Sequence, residues 1–540
     1  MSAGPPVDPP SDPERSSNVS EMGAAGEENA ADEGTSSASP PESVSIVERG
    51  LAFYRSPALL WLIVAGGAVL RVAQYLANRS LWVDESYIAL NVIERSFAGL
   101  LEPLFHNQAA PIGYLWTSKL AVVLFGTSEY ALRLVPLVAG LVALVLFMLL
   151  AKRMLASDVV PWALGLFAVS DRLIYYSSEV KQYSSDVAVA LALLLCAMSL
   201  LSGEFTWKRV MALSLVGATG IWMAHPAIFV AAGGGLVAFG VTAIRREWPR
   251  LARITLVGAV WASSFIAVFA VSLNRLTQNP KHLRYWGSAF MPMPPVTLDE
   301  ARWFKSTMMT VVENPGGLSP SWLAVAAMLA GAAYLLVTKR NETLVVVVPV
   351  LLCLIASGLH KYPFSNRLLL FLVPVMILLA FGAVQGLMER TGRFGAIPAM
   401  LLAIALTATP TLGALRALKT PRTHEELRTV LEHVRDNRRP GDVMYLYYAA
   451  QFPMRYYAPR LGFAEGDYVQ GKISRKSPER YLRDLDELRG HRRVWVVFSH
   501  ATEKRGVDEQ RYILEYLDRI GQRVDERLEP DAAAYLYDLR

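Results

Sequence analysis

The run Leu81-Trp82-Val83-Asp84-Glu85-Ser86-Tyr87 sets two carboxylates side by side next to an indole. Carboxylates at a membrane surface can take the proton from a hydroxyl, or hold a divalent cation through hard oxygen ligands. Two solvated loop acids are the plain alternative. Further along come His106-Asn107-Gln108 and then Gly126-Thr127-Ser128-Glu129-Tyr130-Ala131-Leu132-Arg133-Leu134-Val135-Pro136. Ser128 is placed to cap the helix that follows, which puts Arg133 in the first turns of an apolar segment. An arginine at that depth is costly unless it is paired or wet, so Arg133 requires an acidic partner from the protein or from a substrate.

A second polar stretch reads Ser170-Asp171-Arg172-Leu173-Ile174-Tyr175-Tyr176-Ser177-Ser178-Glu179-Val180-Lys181-Gln182-Tyr183-Ser184-Ser185-Asp186. If its later part is helical, Glu179, Tyr183 and Asp186 share a face and Lys181 points elsewhere. A polar face entering a membrane implies a water-filled cavity beside it. A third stretch, His360-Lys361-Tyr362-Pro363-Phe364-Ser365-Asn366-Arg367, is again cationic. His225, beside Pro226, reads as a packing or hinge residue. Cys196 and Cys353 both sit in apolar runs, without the spacing of a disulfide framework or a metal site. Motifs for ATP, dinucleotides or Ser-His-Asp hydrolysis do not occur in a suitable context.

The surroundings that must position these residues are membrane. Of the 540 residues 53% are hydrophobic and 19% charged, too apolar for a typical solvated enzyme surface. Runs such as 131–150, 343–359 and 368–382 approach the ~20 residues that cross the hydrocarbon as helix. The net charge of +6 is spread in short clusters between those runs. This pattern marks topology and excludes a nucleic-acid-binding face.

Residues 1–48 are rich in Pro, Ser, Gly, Ala and acids, cannot bury a core and read as a disordered cytoplasmic tail without signal-peptide character. Residues 49–418 hold about eleven spans, centred near Ala68, Leu141, Leu166, Leu193, Val216, Leu236, Val260, Met328, Val350, Met376 and Ile404. Arg49 with Arg55, Lys152 with Arg153, Lys208 with Arg209, Arg245 with Arg246, Lys339 with Arg340, and Arg390 with Arg393 all fall on one side, the cytoplasmic one. The stretches carrying Asp84, Lys181 and Arg367 then lie outside, and the cations of the last two stand where few are expected. An anionic ligand such as a lipid phosphate explains them, and snorkelling to ordinary headgroups is the alternative.

Residues 419–540 read as a small extracytoplasmic α/β domain. Its helices are expected over 425–435, 478–488 and 507–520, with short buried strands at 443–448 and 494–499. Two outer loops, 77–129 and 274–319, are long enough to be functional. Within the first, residues 111–125 suit a helix lying in the interface.

Three of these runs together resemble the GT-C superfamily of membrane glycosyltransferases: W-x-D-E at Trp82–Glu85, G-x-S-E-x-A-L-R-L-x-P at Gly126–Pro136, and Y-x-x-E-x-K-x-Y at Tyr176–Tyr183. The likeness is greatest to bacterial relatives of protein O-mannosyltransferases and aminoarabinose transferases, and it extends over residues 57–415. It implies an enzyme of the cytoplasmic (inner) membrane that takes a sugar from a polyprenyl-phosphate carrier and passes it to a lipid, glycan or protein acceptor. The first-loop carboxylate, Asp84 with Glu85 beside it, would be catalytic. Lys181, Arg133 and Arg367 would stabilise the donor phosphate, and His106, Glu179 and Tyr183 would form a substrate or cation site. A divalent metal ion is an open cofactor. The family's His-Pro-Pro segment is replaced here by residues 106–111, and Lys181 stands where Arg is commoner. The rival function is a transporter or lipid flippase, which places ionisable groups nearer the bilayer midplane and often shows internal repeats.

Overall fold

The structure is a computed structural model that describes residues 53–540 apart from 204, 278–279, 391–393, 476 and 502–507. The expected disordered tail, 1–48, lies outside the described residues. The chain is a multi-pass helical membrane protein with a small C-terminal sheet. Among the described residues nine helices are long and apolar enough to span a bilayer, by length and composition. The other two expected centres, Leu166 and Val216, fall in shorter helices, Val160–Val169 and Trp207–Met223.

Local chemistry explains the interruption near Leu166. The helix Val160–Val169 ends at Ser170, whose backbone is extended, and a short helix Asp171–Tyr176 follows. Carbonyls exposed at such a break need donors. The buried Arg71 guanidinium supplies them, bonding Ala168 O at 3.1 Å and Phe167 O at 3.4 Å. Ser128 caps the helix Glu129–Met154 by accepting from Ala131 N, as its position in the sequence indicates.

The span Asn366–Arg390 runs through the centre of the bundle and is almost wholly buried. Its approach to the helix Ser321–Thr338 depends on Gly331, where a Cβ would sit 1.8 Å from the Leu379 carbonyl. Only a missing side chain allows the two backbones so close, a common device of membrane helices. That packing fixes the segment on which Arg367 stands.

The C-terminal part is a five-stranded sheet ordered β2-β1-β3-β5-β4, with β1 Val443–Leu446, β2 Val469–Gln470, β3 Val494–Ser499, β4 Gln522–Glu529 and β5 Ala532–Asp538. β1 pairs parallel with β2 and β3, while β5 is antiparallel to β3 and β4. Alternation along β1 sends Met444 and Leu446 to one face and Tyr445 and Tyr447 to the other. The first face packs with Val430, Leu431 and Val434 of the helix Leu427–Asn437 in an apolar cluster that also contains Ile88, Ala89 and Val92 of the helix Val83–Glu94. One core therefore joins the sheet to the first long loop.

The helix expected over 425–435 begins two residues later, at Leu427, because the Glu425 and Glu426 side chains are drawn instead to the amides of Val83 and Ser80. Residues 112–125 form the expected separate helix, Ile112–Phe125.

Candidate active site

Asp84 and Glu85 are neighbours in the first turn of the helix Val83–Glu94, and helical rotation sends them to different surroundings. Glu85 is fully buried. Arg133 grips it with two bonds, Nε to Oε1 at 3.1 Å and Nη2 to Oε2 at 2.8 Å. Arg79 stands 3.5 Å away, and the amide of Val180 donates to Oε1 at 2.8 Å. Burial pushes the Glu85 carboxyl up, but Arg133 and Arg79 outweigh it and leave the group below its ordinary value. The remaining Arg133 donors go to the carbonyls of Arg79 and Ser80. The acidic partner that the sequence requires for Arg133 is thus Glu85, and the pair faces the protein interior.

Asp84 faces a cavity of about 1140 Å³ between the membrane part and the sheet. Lys181 Nζ lies 3.2 Å from Oδ1 and Arg367 Nη2 2.7 Å from Oδ2. Burial again raises the carboxyl, and the two cations hold it below the usual carboxylate range. Lys181 also donates to Gln108 Oε1 at 2.9 Å. Its own ammonium is lowered by burial, against the pull of Asp84. The guanidinium of Arg367 lies over the rings of Trp82 and Tyr183, 5.8 and 5.7 Å from their centroids.

The helical face expected from Glu179 to Asp186 is not formed, because the helix begins only at Tyr183. Ser177 and Ser178 bond back to the carbonyls of Ile174 and Tyr175, and Glu85 captures the Val180 amide. Side chains competing for backbone groups in this way break a helical run. Glu179 reaches the cavity all the same, with Oε1 accepting from Trp82 Nε1 at 3.1 Å and Oε2 without a hydrogen bond. Burial, reinforced by Glu85, pushes its carboxyl up to about 7. His106 lines the cavity too, its ring 3.9 Å from that of Phe452, and burial lowers its imidazole. Tyr183 is buried behind Arg367.

Asp84, Arg367, Glu179 and His106 therefore line one space, with the buried Lys181 reaching it through Asp84, while Arg133 and Glu85 form the buried frame behind it. Sequence reasoning missed the other wall, which comes from the C-terminal part: Arg422, His424, Tyr448, Lys472, Arg475 and His500. His424 stacks on Trp82 at 5.1 Å. The adjacent acids Glu425-Glu426, directly after the last span, were the available signal.

The donor set does not suit a resident cation. Glu85 is already enclosed by Arg133 and Arg79, two cations stand against Asp84, and the described residues contain no group of three or more His, Cys, Asp or Glu side chains arranged to hold a metal ion.

An apolar groove of about 370 Å³ lies alongside, lined by Phe229, Phe265, Phe269 and Leu368 among others. It shares Trp286 with the large cavity and has Lys361 at its wall.

The aminoarabinose transferase ArnT from Cupriavidus metallidurans superposes on this architecture. Its structure bound to undecaprenyl phosphate gives a TM-score of 0.52 at 13% identity, covering 88% of this chain and 98% of that one. The apo state gives 0.50 at 14%, covering 89% and 98%. This chain has the GT-C fold. The archaeal oligosaccharyltransferase AglB from Archaeoglobus fulgidus is more distant, at a TM-score of 0.46 and 12% identity over 88% of this chain and 74% of that one. Neither a protein-family model nor a curated sequence matches the chain.

Proposed function

We propose that this protein is a glycosyltransferase that moves a sugar from a polyprenyl-phosphate carrier to an acceptor hydroxyl. The observation that carries this reading is Asp84 held between Lys181 and Arg367 on a cavity that shares the Trp286 side of its wall with an apolar groove. The groove suits a prenyl chain, and the two cations suit the phosphate at its end. The fold shared with a protein crystallised with undecaprenyl phosphate supports the same carrier chemistry.

In this mechanism the donor phosphate competes with Asp84 for Lys181 and Arg367. Relieved of both cations, the Asp84 carboxylate regains basicity and takes the proton of the acceptor hydroxyl. The acceptor oxygen bonds to the anomeric carbon as the bond from that carbon to the phosphate oxygen breaks. Lys181 and Arg367 stabilise the charge on the departing polyprenyl phosphate. Direct displacement inverts the anomeric carbon. Glu85 and Arg133 act as the frame that aims the Asp84 helix, in place of the catalytic and phosphate-binding roles that the sequence suggested for them. The site would face the outside of the cytoplasmic membrane, with residues 419–540 forming an extracytoplasmic domain. Reporter fusions after Lys152 and after Arg540 should then give opposite signals.

The decisive experiment incubates the purified full chain with undecaprenyl-phosphate-linked mannose, glucose, galactose and 4-aminoarabinose in turn, and follows release of undecaprenyl phosphate. Release from at least one donor, abolished in Asp84→Asn, is the expected result. No binding of undecaprenyl phosphate and no release from any donor would sink the reading.

A further inference from the structure

The small sheet meets the cavity with its carboxyl-terminal strand ends. β1, β2 and β3 run parallel, and β1 has β2 on one side and β3 on the other. Where successive connections leave a parallel strand in opposite directions, a crevice opens beyond its carboxyl end, and α/β sheets take their ligands there. Here the residues that follow each strand line the cavity: Tyr448 after β1, Lys472 after β2 and His500 after β3.

His500 is held for more than packing. Its φ of 56° is a left-handed backbone conformation, which costs energy for a residue with a Cβ and concentrates at functional sites. Its Nδ1 lies 2.6 Å from Glu425 Oε1. The other oxygen of Glu425 accepts from Val83 N at 3.0 Å and from Ser499 Oγ at 3.2 Å. A carboxylate surrounded by donors selects the tautomer of the neutral ring, with the hydrogen on Nδ1 and the lone pair on Nε2. No described residue hydrogen-bonds Nε2, so the ring presents an acceptor atom on the cavity wall. One buried acid thereby holds both the imidazole and the first amide of the helix that carries Asp84.

We propose that this strand-end crevice is the acceptor half of the site, and that His500 determines specificity there, its Nε2 accepting a hydrogen bond from a hydroxyl of a glycan acceptor. The rings of Tyr448 and Phe452 on the same wall supply the flat apolar surface that a sugar ring packs against. Asp84 deprotonates the attacking hydroxyl, and His500 holds a neighbouring hydroxyl of the same acceptor, so the two residues affect different steps. This inference rests on the proposed sugar transfer and assigns its acceptor side.

The test compares the full-length protein with His500→Asn and His500→Gln, using the best undecaprenyl-phosphate sugar as donor and hexyl β-glucoside as acceptor probe. Asn tolerates the left-handed backbone and can keep the bond to Glu425 while removing Nε2. Gln extends an amide towards the Nε2 position. His500→Asn should raise the acceptor KM about tenfold, the worth of one hydrogen bond, with kcat changed less. Binding of undecaprenyl phosphate should be unchanged, and His500→Gln should recover part of the loss. Wild-type acceptor kinetics in both variants overturn the proposal. Loss of undecaprenyl phosphate binding in His500→Asn places the residue on the donor side and overturns it equally. A wild-type protein that consumes donor by hydrolysis but never glycosylates the probe rejects the glycan acceptor while leaving the donor chemistry intact. One that neither binds the carrier nor consumes any donor removes the underlying reading as well.

Discussion

Asp84 and Glu85 are chemically alike and adjacent, yet one faces a cavity and the other a sealed interior. Glu85 is gripped bidentately by Arg133, with Arg79 and the Val180 amide completing its shell. Asp84 has its two cations in single contacts, with 15% of its side chain still exposed. The difference teaches that ion pairing alone does not mark a functional carboxylate. A buried pair whose geometry is complete has nothing left to offer a substrate, whereas a pair at a cavity can exchange partners.

The comparison is sharpest in Asp84→Asn, which keeps shape and removes the base. Turnover should fall by about 10²–10⁴-fold, the usual worth of positioned proton transfer, while carrier binding is retained or tightened because Asn no longer competes with the phosphate for Lys181 and Arg367. Full turnover in this variant would break the contrast at its functional end. Next in size is Arg133→Ala, which strands the buried Glu85 charge. A loss of roughly 3–5 kcal/mol of stability is expected, read as a large drop in melting temperature or in the yield of folded protein. A stable Arg133→Ala with weakened donor use would return Arg133 to the phosphate.

Lys181→Ala tests the partner exchange at Asp84. Loss of one charged hydrogen-bond donor should weaken donor use by about 1.5–3 kcal/mol, seen as a KM increase of some ten- to a hundredfold with folding retained. The smallest effect concerns pH. Glu179, pushed up to about 7, binds more protons in the folded state than in the unfolded state between its ordinary value and 7. Its contribution to stability is therefore complete at low pH and declines as pH rises through that window. Glu179→Gln should flatten the fall in melting temperature from pH 4.5 to 7, and an unchanged curve would assign the pH dependence elsewhere.

The sequence made the membrane part legible because span length and hydropathy are strong signals, and all eleven expected centres lie in helices. It also marked Asp84, Lys181 and Arg367, since charges beside apolar runs stand out. The division of labour between Asp84 and Glu85 was not legible, because it depends on which face of a helix meets Arg133, 48 residues away. The strands at 443–446 and 494–499 were readable from their valines and aromatics. The hairpin of β4 and β5 was hidden, one strand being largely charged and the other rich in alanine. The cavity's second wall was invisible for a related reason, since no local pattern ties His500 or Glu425 to the first loop.

The grip of Glu425 and Glu426 on Val83 and Ser80 joins residues about 340 positions apart: the bonds span 342 residues to Val83 and 346 to Ser80. Arg428 adds a salt bridge to Glu129 at 2.8 Å, and the Leu81 amide donates to the Tyr457 hydroxyl at 2.7 Å. During synthesis, when domains assemble from the N-terminus onward, Asp84 leaves the ribosome long before its clasp exists. The bundle can insert while the helix Val83–Glu94 still lacks its anchor, which is complete only as about the last fifth of the chain emerges. A chain cut short after its final membrane helix would lack every one of these bonds to the first loop, so under the proposed function it should insert and transfer no sugar.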